Sequence, residues 1–339
     1  QTCPHYTWYH NSTRNHIICY MQSQTHCLLF DRLSEQTDIH QTTMYAQVMR
    51  DLGWLVLGKP GSQTFVRKLG PIAVAKTQRP SILHVESLHE IRRKYRTILM
   101  QVEPALCMRV GKKIVKFPQT YDGLGDISLW KNQIVSTGLT KIVSPLAHSA
   151  TSVIDILLSE TELLSKMKRV ARYNISVTKK KRNLKIHTIP IREFSKKDHE
   201  KYFHILNVWS KRKHVYGFEP KLMKAVLSAF KAESWCHFGE IDGKLESTAL
   251  MLKVGKVMVY YCAVSSENGY SNRVPTALIW ESIVTGKKLG CEFLDFGGIY
   301  DPRYVDEYKR WGGFTTFKEK FAPTPFLYPP SFRLRTGWW

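Results

Sequence analysis

At 339 residues the chain is long enough for two domains of ~100–200 residues with separate cores, and its 43% hydrophobic and 23% charged content excludes a disordered polypeptide. Fifty Lys and Arg against 28 Asp and Glu leave a formal charge of +22 and a pI of about 9.7. Such a balance selects an anionic partner without deciding between nucleic acid, an anionic lipid surface and a phosphorylated small molecule.

No apolar run approaches the ~18 residues of a spanning helix. Seven cysteines without a CxxC pair, and no apolar signal-type stretch near residue 1, make a reduced, cytoplasmic protein the expectation.

Residues 1–31 read as an irregular leader. Cys3, His5, His10, His16, Cys19, His26 and Cys27 crowd there at spacings that fit none of the paired zinc patterns, so no metal site is expected. From residue 41 the pattern becomes regular. Met44, Val48 and Leu52 predict a helix over 41–52 that Gly53 caps. Trp54–Leu57 and Thr64–Arg67, separated by Lys59-Pro60-Gly61-Ser62, predict a strand, turn and strand. A strand over 71–75, a helix over 85–96 and a buried-type strand over 97–102 follow. Gly- and Pro-rich residues 111–145, with two weak strand-like pieces, mark a domain boundary.

Ser159-Glu160-Thr161-Glu162 is a capping box, and the helix it starts is expected to bury Leu163, Met167 and Val170 before running into Lys179-Lys180-Lys181-Arg182. A helix capped by Ser195 carries Tyr202, Ile205, Leu206 and Trp209, and another has Pro220 in its first turn. Thr248–Lys253 and Val257–Cys262 around Val254-Gly255-Lys256 form the clearest hairpin signal. Pro275 opens a helix through Leu278, Ile279 and Ile283 that Gly290 ends, and Cys291–Gly298 reads as a strand closed by a glycine pair.

The sequence lacks GxSxG, HExxH, GxxxxGK[ST] and GxGxxG, so common hydrolase, zincin and nucleotide-loop chemistries have no anchor. Cys262 and Cys291 fall in apolar strands, where cysteine acts as a small hydrophobe.

Several segments, in one order, resemble the Fem-type aminoacyltransferases. They are Leu163–Ile175, with its Met-Lys followed by Arg, Asn and Ile; Val208-Trp209-Ser210-Lys211-Arg212 with Gly217-Phe218 behind it; Trp280–Ile283; Asp295-Phe296-Gly297-Gly298; and Phe317-Lys318-Glu319-Lys320-Phe321. More loosely, Gln41–Tyr45 and Gly53-Trp54 echo that family's first half, and the resemblance covers roughly residues 40–325. It implies an α/β (α+β) fold of two GNAT-like acyltransferase domains, each a mixed, mostly antiparallel sheet flanked by helices. The first would span 32–143 and the second, with the substrate channel, 144–321, while a tail over 322–339 packs back on the first. The implied activity moves an amino acid from aminoacyl-tRNA to the stem peptide of a peptidoglycan precursor, UDP-MurNAc-pentapeptide or lipid II. No cofactor is implied. A monomer, with peripheral contact at the inner membrane face, completes the expectation.

The resemblance also implies roles for residues. Lys318 matches the catalytic lysine; read alone it is a lysine snorkelling past Phe317 and Phe321 to water. Arg212 matches the arginine that holds the precursor diphosphate. Lys213-His214-Val215-Tyr216 puts two residues more than the family pattern before Gly217-Phe218, so Arg212, Lys213 or His214 could fill that role. Arg50 is a second phosphate candidate, and Asp295, Tyr300 and Phe317 are candidate substrate contacts. Lys168, Arg169, Arg172, Lys179, Lys180, Lys181 and Arg182 are expected to track tRNA phosphates, against the plainer reading of a solvated face. Competing readings are an acyl-CoA N-acyltransferase, against which Asn268–Pro275 lacks the phosphate-cradling turn, and a noncatalytic RNA-binding module.

Overall fold

The computed structural model describes residues 24–116, 139–141, 144–214 and 219–334. Its first half begins with α1 (Gln24–Ser34) and α2 (Thr43–Asp51) and continues through β1 (Leu55–Leu57), β2 (Thr64–Leu69), β3 (Ile72–Gln78) and β4 (Ile82–Leu83). Helix α3 (Val85–Tyr95) and strands β5 (Thr97–Glu103), β6 (Cys107–Val110), β7 (Lys113–Lys116) and β8 (Leu139–Lys141) complete it. Thr42 caps α2 by accepting from Tyr45 N, and Gly53 follows with φ of +83°, as its spacing predicted. Buried Gln41 locks this start to the sheet: its side chain accepts from Gln63 N at 2.7 Å and donates to Gln78 O at 2.7 Å.

The second half opens with β9 (Ala150–Asp155), α4 (Glu160–Lys166), α5 (Arg169–Lys180) and β10 (Leu184–Pro190). Next come α6 (Lys196–Lys213), α7 (Pro220–Ala229), β11 (Ser234–Ile241), β12 (Lys244–Val254), β13 (Val257–Ser265), α8 (Glu267–Ser271), α9 (Val274–Lys288) and β14 (Phe293–Gly298). Short helices α10 (Val305–Tyr308) and α11 (Gly312–Lys318) lead to β15 (Thr324–Leu327) and β16 (Phe332–Leu334). Both capping boxes form, Ser159 with Glu162 and Ser195 with Asp198, and the β12–β13 turn has Gly255 at φ +57°.

Among the described residues the strands make a six-stranded sheet, order β1-β2-β3-β5-β16-β8, a seven-stranded sheet, order β10-β11-β12-β13-β14-β9-β15, and a small sheet β4-β6-β7. The larger sheets are mixed and mostly antiparallel, with parallel pairs only at β3–β5 and β13–β14. The seven-stranded sheet is covered on one side by α6 and α7, with Val48 of α2 in the same core, and on the other by α5 and α9. The first sheet packs Val66, Ala75 and Met100 against Leu88 of α3.

Two expectations need correction. Residues 24–31 are not irregular: they lie in α1, where Leu29 packs with Phe293, Phe326 and Tyr328. The remaining candidate zinc ligands of the leader lie outside the described residues. The helix begun at Ser159 also does not run on through Lys179. Met167 adopts an extended conformation, ψ 151°, and α5 restarts at Arg169 in a new phase. Val170 is therefore exposed at 44%, and Ala171, Ile175 and Thr178 are buried instead. The break frees Lys168 N to donate to Lys320 O at 2.9 Å, which ties this corner to the segment after α11.

The chain end closes the architecture. Strand β15 pairs with β9 in the second sheet, and β16 inserts between β5 and β8 in the first. At the junction Arg79 is 3% exposed and held at φ +50° just before Pro80, a conformation that a non-glycine residue rarely adopts. Its guanidinium donates to Asp38 Oδ2 at 3.1 Å and to His148 O at 2.6 Å, and lies 3.5 Å from the Tyr328 ring centre. Burial works to raise the Asp38 pKa, yet Arg79 and His40 outweigh it and hold the carboxyl well below the usual carboxylate range. One side chain thus joins the α1–α2 linker, the end of β3, the entry to β9 and the tail. We predict that Arg79→Met costs about 3–5 kcal/mol in urea unfolding, because it strands a buried carboxylate, and that adding Asp38→Asn recovers part of the loss.

Candidate active site

The stretch from Gly313 to Phe321 folds as α11 followed by a 3-10 turn, and its two outer aromatics decide where the lysine points. Phe321 is buried beside Phe296 and Phe317, with ring centres at 5.9 and 5.7 Å. Seating both rings in the core turns Lys318 inward, so that it is 9% exposed rather than snorkelling to water. Its Nζ donates to Gly298 O at 2.6 Å and sits 4.8 Å from the Phe314 ring centre, one helical turn back. Burial lowers the Lys318 pKa to about 8, with Asp295 opposing the shift.

The receiving wall is the glycine pair. Gly297 has φ +67°, and a Cβ on Gly298 would lie 2.2 Å from the Trp311 ring and 2.8 Å from His148 Cβ. Asp295 is half-buried by the same wall: its Oδ1 accepts from Thr151 Oγ1 at 2.5 Å and from Gly297 N at 2.7 Å. Burial raises its pKa, while these two bonds oppose the rise. Tyr300, two residues beyond, donates its main-chain N–H to Thr315 Oγ1 at 2.8 Å. Phe317 is half-buried in the core behind the lysine.

Strands β13 and β14 run parallel and pair only over Val257–Val259 and Phe293–Asp295 before they diverge. A bulge at Tyr261, opposite Leu250 and Met251, coincides with the separation. Gly298, which receives Lys318, ends β14, and Ser265 ends β13. Arg212 donates to Ser265 O at 2.6 Å from the end of α6, with Glu267 Oε1 3.7 Å away. Two cations therefore stand at the same end of the splayed pair. The Arg212 Nε is buried without a partner. Lys213 and His214 are exposed at the helix end, and Gly217-Phe218 lies outside the described residues. Arg50 is exposed on α2, 3.5 Å from Gln47 Oε1, and is not part of this cluster.

The basic candidates fall on one region of surface. Lys168, Arg169, Arg172, Lys179, Lys180 and Arg182 are exposed, and Lys181 is half-buried with its amine on Asn272 Oδ1. Some are partly engaged: Lys168 lies 3.8 Å from Glu319, and Lys179 lies 4.9 Å from the Trp280 ring centre. The segment Asn268–Pro275 forms most of α8 and a turn, and the amides of Gly269, Tyr270, Asn272 and Arg273 are already bonded to Ser266, Asn268 and Tyr270 rather than free to cradle a diphosphate. Burial pushes the thiols of Cys262 and Cys291 up to about 12 and about 11, as befits structural cysteines.

Sequence reasoning missed Asp38, Arg79, His148 and Tyr328, which cluster around the Arg79 guanidinium; of these His148 lies against Gly298, the residue that accepts from Lys318. It also missed Lys76, held 5.2 Å from the Trp54 ring centre and lowered by burial to about 8 against the pull of Glu103. The one local signal was an arginine between a strand and a proline, Gln78-Arg79-Pro80.

No protein-family model matches the sequence, and no curated protein matches it. The fold is nevertheless shared with solved structures. FemX superposes with a TM-score of 0.70 at 12% identity, covering 93% of this chain and 97% of FemX. The C-terminal domain assigned to a lysylphosphatidylglycerol synthetase from Agrobacterium fabrum gives a TM-score of 0.58 at 11% identity, over 92% of this chain and 93% of that one. A tandem GNAT protein from the clavulanic acid biosynthesis pathway gives 0.50 at 8% identity, over 82% and 79%. The chain has a fold of two GNAT-like units, shared with these structures.

Proposed function

We propose that the chain is an aminoacyltransferase that moves an amino acid from aminoacyl-tRNA onto an amine of the stem peptide of a peptidoglycan precursor. The observation that carries this reading is Lys318: a desolvated cation at the mouth of a splayed parallel strand pair, in a FemX-like fold. In the reaction the amine nitrogen attacks the ester carbonyl, the C–N bond forms, and the ester C–O bond breaks with its electron pair going to the ribose oxygen. The amine proton ends on that oxygen. No side-chain nucleophile is required, because the donor ester is already activated. What the protein supplies is orientation and a charge facing the developing oxyanion. Lys318 is the residue suited to the second task, and Arg212 to holding an anionic group of the acceptor. The exposed Lys168–Arg182 face supplies tRNA phosphate contacts. No cofactor enters the scheme, and the protein works as a monomer that meets its acceptor in solution or at a membrane surface.

The likeness to the lysylphosphatidylglycerol synthetase domain supports a second acceptor class, a lipid hydroxyl, with the donor half unchanged. Transfer of radiolabel from a mixed aminoacyl-tRNA pool separates the two when UDP-MurNAc-pentapeptide, lipid II and phosphatidylglycerol vesicles are offered in parallel. Label in neither precursor rejects the peptidoglycan reading, and label in none of the three rejects aminoacyl transfer. Lys318→Met should abolish transfer while leaving acceptor affinity within about threefold.

Lys318 also predicts a pH signature. A lysine whose pKa is lowered to about 8 carries its charge below that value and loses it above, so the rate should fall as pH rises through about 8. In Lys318→Arg any remaining activity should lack that limb, since guanidinium stays charged; an unmoved limb assigns the titration elsewhere. The same shift penalises folding. The folded state disfavours the ammonium, so the penalty is fully present below about 8 and fades as pH rises toward the lysine's ordinary value near 10.5. Lys318→Met should therefore be more stable at pH 7 by about 1–3 kcal/mol, less whatever its bond to Gly298 contributes.

A further inference from the structure

The loop before β9 is held more firmly than a connection needs. Glu103 Oε1 accepts from Leu146 N at 2.5 Å and Ala147 N at 3.0 Å, and Arg79 donates to His148 O at 2.6 Å. Ser149 N donates to Tyr308 Oη at 2.9 Å, and Ser149 Oγ donates to Asp301 Oδ2 at 2.5 Å. Side chains from three parts of the chain, Arg79, Glu103 and the 301–308 segment, thus fix residues 146–149. The side chain so delivered is His148, whose ring packs edge-on to Tyr328 at 5.9 Å and whose Cβ lies against Gly298, the residue that accepts from Lys318. Yet its Nε2 is buried with no hydrogen-bond partner. A buried nitrogen left unpaired is costly, and buried polar groups in folded proteins are almost always hydrogen-bonded, so this one calls for a partner.

We propose that His148 contacts the attacking amine: its Nε2, unprotonated, accepts a hydrogen bond from the amine N–H and so aims the nitrogen lone pair at the carbonyl whose oxygen Lys318 faces. The site needs an acceptor more than another donor. Lys318 and Arg79 already bring positive charge, and Asp295 has committed Oδ1 to Thr151 and Gly297. The charged and titratable groups around the ring favour a neutral imidazole. Burial lowers its pKa well below the ordinary histidine value, Arg79, His40 and Lys318 push the same way, and Asp38 alone opposes. His148 therefore orients the amine without carrying its proton away. The substrate-contacting assignment rests on the reading of Lys318 as the transfer site.

The test compares the full chain with His148→Phe, His148→Gln, Asp295→Asn and Lys318→Met in the radiolabel assay, with thermal melts to verify folding. Expected are a loss of about 10²-fold in kcat for His148→Phe with KM for aminoacyl-tRNA within a few-fold, and partial recovery in His148→Gln, whose amide oxygen can accept in place of Nε2. Wild-type kcat in His148→Phe beside an inactive Lys318→Met overturns the inference and spares the transfer reading, as does recovery of nothing in a folded His148→Gln. Full activity in Lys318→Met overturns the transfer reading itself. Independently of any transfer, ¹⁵N-histidine spectra assigned by the His148→Gln variant should show an unprotonated Nε2 from pH 6 to 8; a protonated Nε2 sinks the proposal.

Discussion

The buried guanidinium of Arg79 is the constraint on which the arrangement of the two halves depends. A charge taken out of water carries a penalty of several kcal/mol, and its partners here return that energy only if every one of them is in position. Asp38 comes from the link between two helices, His148 from the entry to the second sheet, and Tyr328 from the tail. A network of this kind adds little net stability compared with an apolar core of the same volume. Its effect is selective: alternative packings of the two sheets would strand the guanidinium, or Asp38, in a dry junction. The positive φ of Arg79 adds local strain that only the complete set of contacts offsets.

Lys318 stands at the other side of the same junction and is destabilising for a related reason. An ammonium in bulk water is strongly hydrated and worth little to a passing oxyanion, whereas one held in a low-dielectric pocket acts with far less screening. The pocket exists because Phe317 and Phe321 seat in the core and the Gly297-Gly298 pair leaves room for the wall. The aromatic packing around the lysine offsets the desolvation that makes it useful. Asp295 moderates the effect by raising the lysine's proton affinity, while its own burial raises its carboxyl pKa.

What was legible in the sequence was local. The capping box at Ser159, the cap at Ser195, the proline-opened helices and the Gly255 turn depend on residues within four positions of one another, and they form as read. The phase of α5 was not legible, because the break at Met167 is stabilised by Lys320, far along the chain. Strands β15 and β16 were hidden by their shortness and by Pro325, Pro329 and Pro330 around them, and their partners lie in β9, β5 and β8. For the site, the inward lysine was suggested only by the order of motifs, and its packing could not be read from GFTTFKEKF. His148 carries no sequence signal, and Arg79 only its place between a strand and Pro80, since what singles them out is whom they meet across the junction.

The tail has a consequence for synthesis on the ribosome. Phe332 pairs with Val102 and with Lys141, so the first sheet stays open between β5 and β8 until residues 332–334 have been made. Until then β5 and β8 present unpaired backbone to any passing strand, and the closing contacts are of very long sequence range. Tyr328 belongs to the same segment, so Arg79 gains its aromatic seat only after residue 328 has been made. A chain that stopped at Leu327 would keep every strand of the seven-stranded sheet but leave the place of β16 between β5 and β8 empty and Arg79 without the Tyr328 ring. Such a product is a substrate for chaperones and proteases rather than a partly active enzyme.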